Sequence, residues 1–182
     1  MQTAKTQRFP FSFPNTFASK IKTTMTKKNQ IGLDEAKSNQ LALGLNNLLA
    51  DYMMFYQNTR GLHWNIKGEK FFELHLKYEE LYTNLLLKVD EVAERILTLG
   101  ATPLHTFDDY KTTAKIKSIK NVSEGKQGVQ TILDAFETLI VKQRELLNLA
   151  ADAGDEGTNA LMSDYIREQE KQVWMYASFM KN

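Results

Sequence analysis

The sequence predicts an all-α protein, a four-helix bundle with one long connection, and three observations carry that prediction. Four long segments space their apolar residues three and four apart, glycine and proline mark the breaks between them, and no segment alternates with the period of a strand. The first segment, 33–62, repeats Leu41, Leu45, Leu48, Leu49, Tyr52, Phe55 and Tyr56 without a proline. Gly68 interrupts the pattern. A second segment covers 70–99 and stops at Gly100, a residue suited to the left-handed turn that closes helices, with Pro103 just beyond. The stretch LHTFDDYKTTAKIKS is too polar for core and reads as a crossover with one short helix. Ser123 and Glu124 open the third long helix, which reaches about Asp152 before Gly154; Asp155 then caps a fourth that ends near Met180. The longest connection therefore joins the second and third long helices.

With 182 residues, 42% of them apolar and 25% charged, the chain can bury one core, so a single folded domain is expected over 33–182. Residues 1–32 read as a flexible basic arm: Lys5, Arg8, Lys20, Lys22, Lys27 and Lys28 occur there without an acid. The rest holds 17 basic against 22 acidic side chains, a net of −5, beneath an overall charge of only +1. Composition leaves three readings of the arm open: an organelle transit sequence, a disordered nucleic-acid-binding arm, or residues upstream of a start at Met25. No run approaches the roughly 18 apolar residues of a membrane span, and Pro10 and Pro14 break the N-terminal apolar stretch where a secretion signal would be continuous. The cytoplasm is the expected compartment. Cysteine is absent, so disulfides and thiolate ligands are excluded and a metal would be held by nitrogen and oxygen.

The second helix is the specific one. Leu74, Tyr78, Leu81, Leu85, Val92, Ile96 and Leu99 form one apolar seam, enough to face the bundle. Beside it runs Phe72, His75, Glu79, Tyr82, Leu86, Asp90, Ala93 and Leu97, a second stripe that places ionisable residues among apolar ones. A helix apolar on two faces is usually buried on both, so this stripe is expected to meet another subunit. Unpaired carboxylates would be costly there, and something should neutralise them.

His75 and Glu79 stand one turn apart on one face, as do Asp90 and Glu94, and each pair suits one side of a metal ion. Glu79 and Asp90, however, lie roughly 16 Å apart along a straight helix, far beyond the ~2 Å bonds of a common ion. Two copies of this helix, antiparallel about a two-fold axis near Asn84 and Leu85, would bring the pairs together twice per dimer, with His63 adding a second imidazole. Against this stands a plainer alternative: a His followed by Glu four residues on also occurs on solvated helices, and Asp90 and Glu94 ahead of Arg95 also suit a surface charge pattern. The joint occurrence of both pairs along an apolar stripe favours the site. Trp64 suits interface packing, or interception of a stray oxidising equivalent beside a redox metal. His105 reads as a solvated loop residue. Zinc-protease HExxH, the GxSxG elbow, phosphate-binding glycine loops and the Glu-x-x-His repeat of di-iron sites built within one subunit are all missing.

HWNIKGEKFFELHLKYEELY, followed by DEVAERILTLGATP and later by GDEGT and EKQVWMY, resembles the Dps family of mini-ferritins over roughly residues 33–181. The resemblance implies a ferritin-like four-helix subunit in a hollow dodecameric homo-oligomer. It implies a ferroxidase centre at each two-fold interface, with His63, His75 and Glu79 from one subunit and Asp90 and Glu94 from its neighbour. The activity so implied is oxidation of Fe(II), preferably by hydrogen peroxide, at a pair of irons, with ferric mineral stored in the cavity and protection from oxidative damage. Position 79 is aspartate in many members and glutamate here, which keeps the ligand type but shifts its reach. By position, Asp155 and Asp164 resemble carboxylates of acidic three-fold pores, with Ala160 where a third aspartate is often found. An alternative function is that of a nucleoid-associated DNA-binding protein, its basic arm carrying Lys5, Arg8, Lys20, Lys22, Lys27 and Lys28.

Overall fold

Asp34 opens the first helix by accepting a hydrogen bond from the Lys37 amide, and the chain then builds five helices. In a computed structural model, residues 26–181 are described, and they comprise α1 (Glu35–Asn65), α2 (Phe71–Thr98), α3 (Phe107–Thr113), α4 (Gly125–Ala153) and α5 (Glu156–Phe179). Among these residues there is no strand, only an isolated bridge between Lys28 and Asp34. The four long helices and the short one in the crossover are those the sequence predicts. No described helix is long and apolar enough to cross a membrane.

Three boundaries differ from expectation. The first helix runs to Asn65, carrying His63 in its last turn, because Gly61 weakens a helix by only about 1 kcal/mol and nothing terminates it until Ile66 turns extended. Glu124 is not the first helical residue of α4 but its cap, accepting from the amides of Lys126 and Gln127, and those bonds hold its carboxyl below the usual range. The expected arm of 1–32 overlaps folded structure at its end, residues 1–25 lying outside the described residues. Residues 26–34 are folded onto the bundle, since the Asn29 side chain accepts from the amides of Ile31 and Leu33 and donates to Ser38 Oγ and to the carbonyl of Leu99. Two glycines take the left-handed conformation demanded at helix ends: Gly100 at φ 91° and Gly154 at φ 68°.

The helix α1 packs against α2, α3 and α4, and α4 packs against α5. The seam of α2 is buried throughout, as its spacing predicts: Leu74, Tyr78, Leu81, Leu85, Val92, Ile96 and Leu99 join Leu45, Leu48, Tyr52, Phe55, Ile132, Phe136 and Leu139 in one core. The centre of that core is polar. Tyr52 receives hydrogen bonds from Gln143 Nε2 at 2.7 Å and Gln169 Nε2 at 2.6 Å, and burial raises its phenol above the ordinary range. Asp51 pairs with Lys142 and also accepts from the Ile116 amide, which fastens the crossover to α1.

Candidate metal centre

His63 and His75 come from the end of α1 and the start of α2, which the turn at Gly68 folds back on one another. Their rings stack with centroids 3.8 Å apart and planes 21° from parallel. The backbone bonds are reciprocal: His63 Nδ1 lies 2.8 Å from the carbonyl of His75, and His75 Nδ1 lies 2.9 Å from the carbonyl of His63. A carbonyl only accepts, so each Nδ1 carries a proton and donates it. In the neutral ring this leaves the Nε2 lone pair free, the state in which imidazole ligates a metal. Phe71 stacks on His75 at 5.0 Å, and Tyr82 meets the His63 ring edge-on at 5.4 Å.

The carboxylates lie on the outer side of α2. Glu79, Asp90 and Glu94 are exposed, and their side chains make no ion pair or hydrogen bond among the described residues. Their neighbours differ: Glu80 pairs with Lys77, Glu73 with Lys70, and Glu91 accepts from the Tyr165 hydroxyl. Around the three free carboxylates Phe72 is 84% exposed, and Leu76, Leu86, Leu87 and Leu97 are open as well, a concentration of apolar surface of the kind that marks an interface. Of the five expected ligands, the described residues bring only His63 and His75 into contact. Among the described residues no three His, Asp or Glu side chains converge on a metal-sized site.

Other sequence candidates fare differently. Trp64 is 58% exposed, and its ring lies under the Arg60 guanidinium at 4.7 Å, not against His63, because adjacent helical residues point about 100° apart. Asp155, expected by resemblance at a pore, is engaged within the subunit. Its carboxylate is buried, caps α5 through Thr158 and pairs with Arg95, so it faces into the subunit. Burial alone would raise its pKa, but the Arg95 and Thr158 bonds outweigh that and hold it below the usual range. Asp164 is exposed on α5 and pairs with Arg167 at 2.9 Å. Lys27 is tied to Glu35 at 2.9 Å and Lys28 belongs to the folded segment, while Lys5, Arg8, Lys20 and Lys22 lie outside the described residues. His105 is an exposed loop residue. The sequence reading did not single out Phe71 and Tyr82, which enclose the stacked histidines; Tyr82, seven positions after His75 on the same stripe, was the available signal.

A five-helix chain with stacked imidazoles and exposed carboxylates falls in the class of ferritin-like proteins, and the ferritin-like domain profile matches residues 42–182. The chain is similar to the DPS protein of Vibrio cholerae O1, whose crystal structure describes a member of a broad superfamily of ferritin-like diiron-carboxylate proteins: 56% identity, TM-score 0.83, covering 84% of this chain and 96% of that one. A Dps protein from Bacillus brevis is 30% identical with a TM-score of 0.77, covering 80% of this chain and 97% of its own. The DNA protection during starvation protein of Porphyromonas gingivalis is 40% identical over 81% of this chain and 93% of its own length. The chain belongs to the Dps family.

Proposed function

We propose that the protein is an iron-storage and detoxification ferroxidase, oxidising Fe(II), preferably with hydrogen peroxide, at two-iron centres shared between subunits of a dodecameric shell. The observation that carries this reading is a pair of pre-set imidazoles, one buried and one half-buried, together with three exposed carboxylates on the apolar flank of α2 that have no partner among the described residues. Mixed imidazole and carboxylate donors suit iron, and a pair of irons lets peroxide take two electrons together without releasing hydroxyl radical. His63, His75 and Glu79 would come from one subunit and Asp90 and Glu94 from the other. An antiparallel contact along α2 would satisfy the carboxylates and cover Phe72, Leu86 and Leu97 at once.

Complementation tests it. Neither H75A nor D90A shells should bind Fe(II) at the centre or consume peroxide rapidly. In a mixed dimer one of the two centres has lost both residues and the other has lost neither. Shells reassembled from equal amounts of the two variants should therefore regain about a quarter of the wild-type centres. No recovery in correctly assembled mixed shells would refute a centre built across the interface, and full activity in either single variant would refute the ligand set.

A further inference from the structure

We infer that the groove between α2 and α5 is a receptor for an extended aromatic segment, and that its occupant is residues 9–17 of the same chain. The groove begins where a ladder of bridges ends. From the far end of α2, Arg95 meets Asp155 and Thr158, Glu91 accepts from the Tyr165 hydroxyl, and Lys88 and Asn84 both reach Glu168. Beyond Glu168 no hydrogen bond or ion pair joins the two helices among the described residues; Lys70 and Lys77 turn instead to Glu73 and Glu80 on α2 itself. Between these unbridged ends lies a groove of about 520 Å³, floored by Leu74, Leu81, Met175, Tyr176 and Phe179. That volume is within the range of sites that enclose a ligand, and with Met175 48% exposed the apolar floor stands open.

The sequence supplies side chains that match. RFPFSFPNTF, outside the described residues, has phenylalanine at the alternate positions 9, 11 and 13 and again at Phe17. A proline disfavours the helical conformation for the residue before it, so Pro10 and Pro14 bias a chain of this pattern toward extended geometry. Extended, such a chain points alternate residues to one side, about 7 Å apart. Three phenyl rings on one side and Ser12 on the other suit a trench with an apolar floor, the mode in which a groove reads alternate side chains of a peptide. Charge agrees as well: Lys5 and Arg8 precede the phenylalanines, and Glu73 and Glu80 stand on the α2 rim.

Reach decides between this segment and a free partner. The described chain starts beside the opposite end of α2, where Asn29 donates to the Leu99 carbonyl. From Leu99 the helix rises roughly 22 Å to Asn84, at the near end of the groove, and roughly 39 Å to Glu73 at the far end. Residues 17–25 span up to roughly 30 Å when extended, and residues 9–25 up to roughly 56 Å. Phe17 therefore reaches the near end and Phe9 the far one, with chain to spare. A tether of this length gives the segment an effective concentration on the order of millimolar, an advantage that an untethered ligand lacks.

Fluorescence anisotropy with a labelled synthetic peptide of residues 5–18 tests this on assembled protein. Protein beginning at Met25 should bind the peptide saturably, and the full chain, whose own segment holds the groove, at least about tenfold more weakly. Met175→Glu places a charge on the floor from an exposed position and should cost the Met25 form at least about tenfold. Peptide carrying Phe9→Ser, Phe11→Ser and Phe13→Ser should not bind the unaltered Met25 form. Equal binding to the full chain and the Met25 form, or binding indifferent to Met175→Glu or to the phenylalanines, would overturn the inference. So would no binding to the Met25 form, the result expected if a second copy covers the groove. None of these outcomes bears on the ferroxidase reading, whose candidate ligands occupy other positions of α2 and the end of α1.

Discussion

Tyr52, Gln143, Gln169, Asp51 and Lys142 in the middle of the bundle, and His63, His75, Glu79, Asp90 and Glu94 on its flank, are two polar clusters set among apolar neighbours. They resolve in opposite ways. The inner cluster closes on itself: phenol meets amides, carboxylate meets ammonium, and Gln143 Oε1 is the one atom in it left without a partner. The outer cluster stops halfway, with each imidazole bonded through Nδ1 and three carboxylates bonded to nothing among the described residues. A buried polar group that lacks a partner is costly, so donors left unpaired on an apolar face indicate where the subunit expects company. The interior holds the fold together; the flank carries the unfinished chemistry.

Breaking the flank should abolish function and spare the fold. His63→Ala or His75→Ala is expected to weaken Fe(II) binding by at least about 100-fold, more than loss of an outer-shell partner typically costs, while the lost ring contact and Nδ1 bond cost about 1 kcal/mol of stability, less than the interior change below; anaerobic titration and calorimetry measure the two. Breaking the interior should do the reverse. Asp51→Ala leaves the Lys142 ammonium with the Asn47 carbonyl but no counter-charge and frees the Ile116 amide, a loss of about 3 kcal/mol in denaturant unfolding, while assembled protein retains its iron stoichiometry.

Asp155 sharpens the same division with pH. Its folded pKa lies below the unfolded value, so its contribution is complete above the ordinary carboxylate pKa near 4 and disappears as pH falls through the folded value. Asp155→Asn should therefore unfold less steeply with acid below about pH 4 and be less stable at neutral pH by about 1 kcal/mol, read from acid and urea titrations followed by circular dichroism. The smallest effect concerns DNA. With Lys27 paired to Glu35 and an acidic body, protein beginning at Met25 should give a gel shift that is weak at low salt and absent at physiological salt; a strong, salt-sensitive shift from that form would reassign the binding surface.

The helices were legible because spacing and punctuation agree. The seam of α2 reads directly as core, and Gly100 and Gly154 stop helices where only a positive φ will do. The site was legible as a set of residue types at intervals, and the rise of a helix was enough to show that one copy of α2 does not close it. What periodicity cannot supply is rotation and reach. It does not reveal that His63 and His75 lock each other's Nδ1, or that Trp64 turns away beneath Arg60 while Tyr82 turns in. Nor does it show that Asp155 is answered by Arg95 from another helix, sixty positions earlier, a bond that ties α2 to α5.

The reciprocal bond between the two histidines is made within one helical hairpin, across positions only twelve apart in sequence, and local contacts of that kind form early in folding. On the proposed function the carboxylate half arrives later, when a second subunit docks. A newly made, solitary subunit would therefore carry correctly poised imidazoles yet be unable to seat a pair of irons. On that reading quaternary structure would act as a safety catch, the two-iron centre being completed only as the container that receives its product is built.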